Sequence, residues 1–200
     1  MPRAYPFLYI TGGCRSGKSA FAQRAAEFFA PARLFLATAR ADDDEMRERV
    51  RRHQAQRGAD WRLYELKTAD APDLWRMLPG IIREGEALLF DCLTLWTASM
   101  MPEHGIPQDF EDQCERLTSA LYGLPCPVVV VNNEVGMGVV PPAPSGRAFR
   151  DMAGVAGQAA ARAATDAVFM ASGLPLALKG RTPALPGCGD IFTTDWRFGA

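Results

Sequence analysis

Gly12-Gly13-Cys14-Arg15-Ser16-Gly17-Lys18-Ser19 has the spacing GxxxxGK[ST], between an apolar run ending at Thr11 and a helix-period stripe that follows Ser19. Glycines at 12 and 17 let the backbone turn so that several N–H groups converge on phosphate oxygens, which a side chain there would keep at a distance. A helix starting at this point adds its own orphan donors and the positive end of its dipole. Lys18 then reaches the β- and γ-phosphates of a nucleoside triphosphate, and the Ser19 hydroxyl can hold Mg²⁺. All eight residues are therefore expected to bind nucleotide, with Lys18 also catalytic and Ser19 also a metal ligand.

Such a loop needs a carboxylate at the end of a neighbouring strand. Ala87-Leu88-Leu89-Phe90-Asp91 offers four apolar residues and then an acid. Asp91 has two readings: a metal-holding carboxylate, since burial of such a group calls for a cation, or a residue that caps the strand end. Base recognition of the regulatory-GTPase kind is missing, because Val128–Glu134 ends Asn-Asn-Glu without the lysine of an NKxD segment. Asp151 to Gly154 spells DxxG inside a helical pattern, and Gly136-Met137-Gly138 is only a fragment of a dinucleotide fingerprint.

A second group of chemical residues lies at Asp42-Asp43-Asp44-Glu45-Met46-Arg47-Glu48-Arg49-Val50-Arg51-Arg52-His53. Acid first and base last complements a helix dipole. Met46, Val50 and His53 share one face, with Arg49, Arg52 and Arg57 close to the imidazole. One reading is a solvated basic helix in which His53 makes a packing contact. The other is a nucleophilic histidine, with arginines stabilising the charge of the phosphate it attacks.

These residues must be carried by strands and helices, and the chain alternates short apolar runs with helix-period segments, the pattern of βαβ units around a parallel sheet. Strands are expected at Phe7–Thr11, Leu34–Thr38, Ala87–Asp91, Val128–Val131, Ala167–Ala171 and Leu174–Lys179, the last placed at an edge by Pro175. Phe21, Ala25 and Phe28 form the stripe of a first helix. Asp109–Tyr122 and Arg147–Ala164 are further helices, the second with Phe149, Met152, Val155 and Ala159 on one side. Gly154 and Gly157 each cost that helix about 1 kcal/mol relative to Ala, which close packing, a nearby ligand or simple tolerance would accommodate. The soft spots are the loop Pro141–Ser145 and the tail after Lys179. The expectation is a single α/β domain over residues 1–179, P-loop NTPase-like, with a mostly parallel sheet flanked by helices, followed by a tail at 180–200 of unassigned role.

Composition narrows the function classes. The 200 residues are 48% hydrophobic with a net charge of −1, which fits a globular domain and gives no basic field for nucleic acid. No apolar run approaches the roughly 20 residues of a membrane span, and no signal peptide is visible. The five cysteines are scattered without CxxC spacing, and there are two histidines, so reduced thiols in a cytoplasm fit better than zinc.

Taken together, GGCRSGKS, LFLATA, DDDEMRERVRRHQAQR followed by Trp61, LLFDCLT, VVVNNEVGMGVVP and FRDMAG resemble the CobU-type enzymes of cobalamin assembly, bifunctional adenosylcobinamide kinases / adenosylcobinamide-phosphate guanylyltransferases. The resemblance runs from about Phe7 to Lys179. It implies phosphorylation of the aminopropanol hydroxyl of adenosylcobinamide by GTP or ATP. Transfer of GMP from GTP would follow, through a guanylylated histidine at His53, giving adenosylcobinamide-GDP and pyrophosphate. It also implies guanine-nucleotide contacts at Thr38, Ala39, Arg40, Arg57, Gly58 and Glu65, and a homotrimer. A labile phosphoramidate on a neutral imidazole is sound chemistry for such a carrier. Asn133 and Glu134 close the fourth expected strand at the sheet's carboxyl edge, where substrate contacts and ordinary loop hydrogen bonding both fit. This chain departs from the family pattern at Gly58, where a proline is usual, at Pro141–Pro144 and at Gly157-Gln158. Two other readings compete: a P-loop small-molecule kinase without the transferase step, and a non-enzymatic nucleotide-binding module.

Overall fold

In the computed structural model, which describes residues 3–38, 60–102 and 105–180, Phe7–Gly12 (β1) is buried along its whole length. It is an interior strand, with β5 (Val128–Val131) parallel to it on one side and β6 (Asp166–Ala171) on the other. The remaining strands are β2 (Ala32–Ala37), β3 (Trp61–Glu65), β4 (Glu86–Asp91) and β7 (Leu174–Lys179). They form one seven-stranded sheet in the order β3-β2-β4-β5-β1-β6-β7. Every pairing is parallel except that of β6 with β7.

Alternation along the strands divides the core between two faces. Leu8, Ile10, Phe35, Leu89, Val129 and Val131 pack with the helix α1, Lys18–Phe29. Phe7, Tyr9, Leu34, Leu36, Leu88 and Phe90 face the other side. There the layer consists of α2 (Leu74–Ile81), α3 (Leu93–Ser99), α4 (Phe110–Gly123) and α5 (Pro144–Ala163). Trp96 of α3 anchors that layer, stacking on Phe110 at 6.0 Å and donating its indole N–H to the Ala71 carbonyl at 2.9 Å.

The helix stripe expected on α1 is corrected in one respect. Phe21, Ala22, Ala25 and Ala26 are fully buried while Phe28 is 44% exposed, because small alanines bring the helix close to the sheet and turn position 28 outward. Burying Phe21 alone contributes about 2–3 kcal/mol relative to leaving it exposed. The helix α5 starts earlier than expected, with Pro144 at its first turn, where proline's fixed φ and missing N–H are tolerated. Pro144 and Ser145 thus belong to the helix rather than to the preceding loop. Its buried face is Met152, Ala153, Ala156, Ala159 and Ala160, with Phe149 and Val155 only partly covered. The edge strand β3, the short helices α2 and α3, and a 3₁₀ turn at Thr68–Asp73 add to the elements expected. Among the described residues no helix is long and apolar enough to cross a membrane.

At the amino-terminal edge of the sheet, away from the phosphate loop, Glu86 is tied to β3. The Arg62 guanidinium donates to both its oxygens, at 2.8 and 2.6 Å, and the Arg83 N–H donates at 2.9 Å. The Arg62 hydrogen bonds are the main reason its carboxyl titrates below the ordinary value of 4.5. A carboxyl depressed in the fold stabilises above its unfolded pKa and loses that contribution as pH falls through the folded value. The variant Glu86→Gln is therefore expected to lose about 2 kcal/mol at neutral pH, with the gap to wild type closing below the carboxylate range. Denaturant unfolding of both proteins at a series of pH values measures it; a gap independent of pH would contradict the ion-pair account.

Candidate functional site

Strand β1 ends in Gly12 with φ of 148°, and a Cβ there would overlap the Met170 carbonyl oxygen of β6. The chain then runs through Arg15, in the left-handed region at φ 57°, to Gly17 at φ 95°, the N-cap of α1. No side chain caps this helix and no acidic residue occupies its first turn, so the helix brings no carboxylate of its own to the positive end of its dipole. The Ser16 N–H donates to the Gly13 carbonyl at 3.3 Å. Lys18 is only 6% exposed and folds back along the loop, its Nζ donating to the Gly13 carbonyl at 2.6 Å and lying 3.4 Å from Ser16 Oγ. The result is a backbone cradle with a buried ammonium group at its mouth, an arrangement suited to a polyphosphate.

Beside it, register pairs Ala37 with Asp91 and Asp91 with Val131. The Thr38 hydroxyl donates to the Cys92 carbonyl at 2.7 Å and accepts from the Cys92 N–H at 2.8 Å, while the Thr38 N–H donates to the Asp91 carbonyl at 3.3 Å. Thr38 thus clamps the backbone on the far side of Asp91 and holds that strand end in place. Burial pushes the neighbouring Cys92 thiol up to about 11, which keeps it protonated and unreactive.

The segment after β5 is held by a buried network. The Thr94 hydroxyl donates to Asn132 Oδ1 at 2.8 Å and accepts from the Asn133 N–H at 2.7 Å. Asn132 Nδ2 in turn donates to the Tyr9 hydroxyl at 2.9 Å. Burial is the main reason the Tyr9 phenol is harder to ionise than usual. A Cβ on Gly157 would lie 3.0 Å from that hydroxyl, so close packing explains this glycine of α5, whereas Gly154 has nothing within 4 Å of its Cβ position. Next in the chain, the Glu134 N–H donates to the Gly12 carbonyl at 2.9 Å and its carboxylate accepts from the Gly136 N–H at 3.1 Å.

Because α1 leaves β1 for one face and α5 leaves β5 for the other, a crevice opens outside the carboxyl ends of these adjacent strands. The carboxyl edge brings together the loop 12–19, Thr38, Asp91, Asn133 and Glu134. Glu65 ends the edge strand β3, paired with Ala37 and exposed, farther from the loop. His53, Ala39, Arg40, Arg57 and Gly58 lie outside the described residues. Tyr9, Thr94, Asn132 and Gly173 were not singled out from sequence. The first three are buried polar groups whose partners come from distant elements. A Ser-Gly pair between two strand candidates was the available signal for Gly173.

A model of the family described as cobinamide kinase / cobinamide phosphate guanyltransferase matches residues 8–178. The bifunctional adenosylcobalamin biosynthesis protein CobP of Pseudomonas aeruginosa is 40% identical over 171 residues, spanning 86% of this chain and 96% of that protein. The bifunctional adenosylcobalamin biosynthesis protein CobU of Salmonella typhimurium is 34% identical over 188 residues, spanning 86% and 99%. Among solved structures, an ATPase from the type III secretion system of pathogenic bacteria superposes with a TM-score of 0.52 at 9% identity, over 84% of this chain and 51% of that one. That likeness speaks for the P-loop α/β fold alone.

Proposed function

The chain belongs to the cobinamide kinase / cobinamide phosphate guanyltransferase family, and from that premise we propose how its residues share the two reactions. It is a bifunctional enzyme of adenosylcobalamin biosynthesis. The observation that carries the residue assignment is the phosphate cradle, with the uncapped start of α1 and the buried Lys18 ammonium converging on one point of the sheet edge.

In the kinase step the loop 12–19 binds the triphosphate of GTP or ATP, and Lys18 draws charge from the β- and γ-phosphates as the γ-phosphoryl passes to the hydroxyl of adenosylcobinamide. Asn133, held by Thr94, and Glu134, tied to the loop through Gly12, contact the acceptor. In the transferase step a His53 nitrogen forms a bond to the α-phosphorus of GTP as the bond to pyrophosphate breaks. The phosphate of adenosylcobinamide phosphate then attacks the same phosphorus, releasing the imidazole and giving adenosylcobinamide-GDP. Thr38, Ala39, Arg40, Arg57, Gly58 and Glu65 hold the guanine nucleotide. Residues 1–179 form the catalytic domain, with 180–200 as an appended tail.

Mg²⁺ fits two donors of the described residues. Among the described residues there is no group of three or more His, Cys, Asp or Glu that could cage a metal. Ser19 and Asp91 instead supply single hard oxygens, the mode in which Mg²⁺ keeps waters and substrate phosphates as its other ligands. When bound there, the ion supplies neutralisation of charge on the phosphates.

A homotrimer in the cytoplasm completes the proposal. The three leucines of the edge strand β7, Leu174, Leu176 and Leu178, are 52–58% exposed and share one face of the strand, an apolar stripe suited to a second copy. Cys14, Cys92, Cys114 and Cys126 are all free thiols, in keeping with a reducing compartment.

The test is incubation of the purified chain with adenosylcobinamide, GTP and Mg²⁺, with mass analysis of the corrinoid. Both the phosphate and the GDP derivative are expected in turn. The phosphate alone would leave a kinase, and neither, in the presence of bound nucleotide, would overturn the assignment in favour of a non-catalytic binding module.

A further inference from the structure

The hairpin joining β6 to β7 turns through Ser172 and Gly173, with φ of 51° and 84°, and the strands pair across it at Ala171 and Leu174. Positive φ at both central residues is the geometry of a type I′ turn, whose twist matches that of the antiparallel strands it joins. The second of these residues faces the phosphate loop. The Gly173 N–H donates to the Ser16 carbonyl at 2.9 Å, and the Gly173 Cα lies 3.2 Å from the position a Cβ would take on Gly17. Met170 closes in from the same strand, its Cε 3.8 Å from that position. Gly17 is therefore small for two reasons, the phosphate on one side and the hairpin on the other.

A trans peptide unit is planar, with its C=O and N–H pointing in opposite directions. The carbonyl of Ser16 and the N–H of Gly17 belong to one such unit. Pulling that carbonyl outward onto the hairpin turns the Gly17 N–H to the opposite side, into the cradle. We infer that Gly173 is a positioning residue for the nucleotide site: its amide, presented by the type I′ turn, holds the Ser16 carbonyl and so aims the Gly17 N–H at bound phosphate. The inference rests on the assignment of loop 12–19 to nucleotide.

The structure supplies a matched control. Gly85 has φ of 78° and nothing within 4 Å of its Cβ position, as is also true of Gly173. It precedes β4 at the opposite edge of the sheet. A β-branched residue is strained in that backbone region at either site, so Gly173→Val and Gly85→Val should both lower the melting temperature. Only Gly173→Val displaces the turn that contacts the loop. Equilibrium binding of the Mg²⁺ complex of GTP to the full chain is expected to weaken about tenfold or more in Gly173→Val and to stay within about twofold of wild type in Gly85→Val. In the kinase assay KM for the nucleotide rises in Gly173→Val while KM for cobinamide is unchanged. Asparagine, which tolerates positive φ better than other side chains, should give a smaller but measurable loss in Gly173→Asn, and that variant serves in place of the valine one if the latter does not fold. Wild-type affinity in both Gly173 variants, or an equal loss in Gly85→Val, would overturn the inference. A wild-type chain that binds no MgGTP would instead remove the nucleotide assignment beneath it.

Discussion

Replacing His53 with alanine is expected to abolish covalent labelling of the protein by GTP carrying label at its α-phosphate, while cobinamide is still phosphorylated. Wild-type protein, incubated with Mg²⁺ and no corrinoid and then denatured, should retain label that is labile to acid and stable to alkali, as a phosphoramidate is. Loss of a covalent nucleophile costs on the order of 10⁴-fold or more in turnover, so formation of the GDP derivative should fall below detection. The kinase step should survive, because its proposed machinery is the loop 12–19, which is set between β1 and α1 and held by the β6–β7 hairpin. The variant His53→Asn keeps a hydrogen-bonding side chain but offers no nucleophile, and should behave as alanine does. Label on the alanine variant would move the covalent carrier to another residue. No label on either protein, with cobinamide phosphorylated, would leave His53 as a packing residue and the chain a kinase.

The parts of this arrangement legible in the sequence are those governed by short-range rules. The strands β1, β4 and β5 are buried in the middle of a parallel sheet, and such strands appear as near-continuous apolar runs; their limits fall within a residue of those expected. Pro175 marked β7 as an edge because proline cannot donate to a ladder. The phosphate loop was legible because its chemistry fixes four positions, Gly12, Gly17, Lys18 and Ser19, within eight consecutive residues. Strand β3 was not, because Trp61-Arg-Leu-Tyr-Glu65 is a half-exposed edge whose register depends on β2. Nor were α2 and α3, which are eight and seven residues long, too short for a helical period to stand out, and α2 carries Pro79 as well. Long-range partners were the least legible. Tyr9, Thr94 and Asn132 come from β1, α3 and the loop after β5, and only the fold shows that Gly157 is small to let α5 close over them. In the same way a Ser-Gly turn marks a strand boundary in sequence, and its amide becomes part of the site only when β6 lies beside β1.

Substituting Lys18 should impair both steps, whereas substituting His53 impairs the transfer alone. In the structure its ammonium is held by the Gly13 carbonyl and lies close to Ser16 Oγ, so the charge already stands within the cradle before any phosphate arrives. A donor fixed in advance contributes most where negative charge grows in the transition state, because little reorganisation is left to do. Charge grows on the β-phosphate as the γ-phosphoryl leaves, and on pyrophosphate as GMP leaves. Lys18→Ala is therefore expected to lower kcat/KM by about 10²- to 10³-fold in cobinamide phosphorylation. The rate of labelling from α-labelled GTP should fall comparably, although His53 is intact. Lys18→Arg keeps the charge, but its planar fork cannot replace a compact ammonium in a space where Lys18 is 6% exposed, so only partial recovery is expected. Stopped-time assays of both steps on the two variants, with circular dichroism to show that the fold is retained, measure the effect. A Lys18→Ala protein that loses phosphorylation but labels at the wild-type rate would mean that guanylyl transfer does not use the phosphate loop, and that GTP binds for that step at a separate place on the sheet edge.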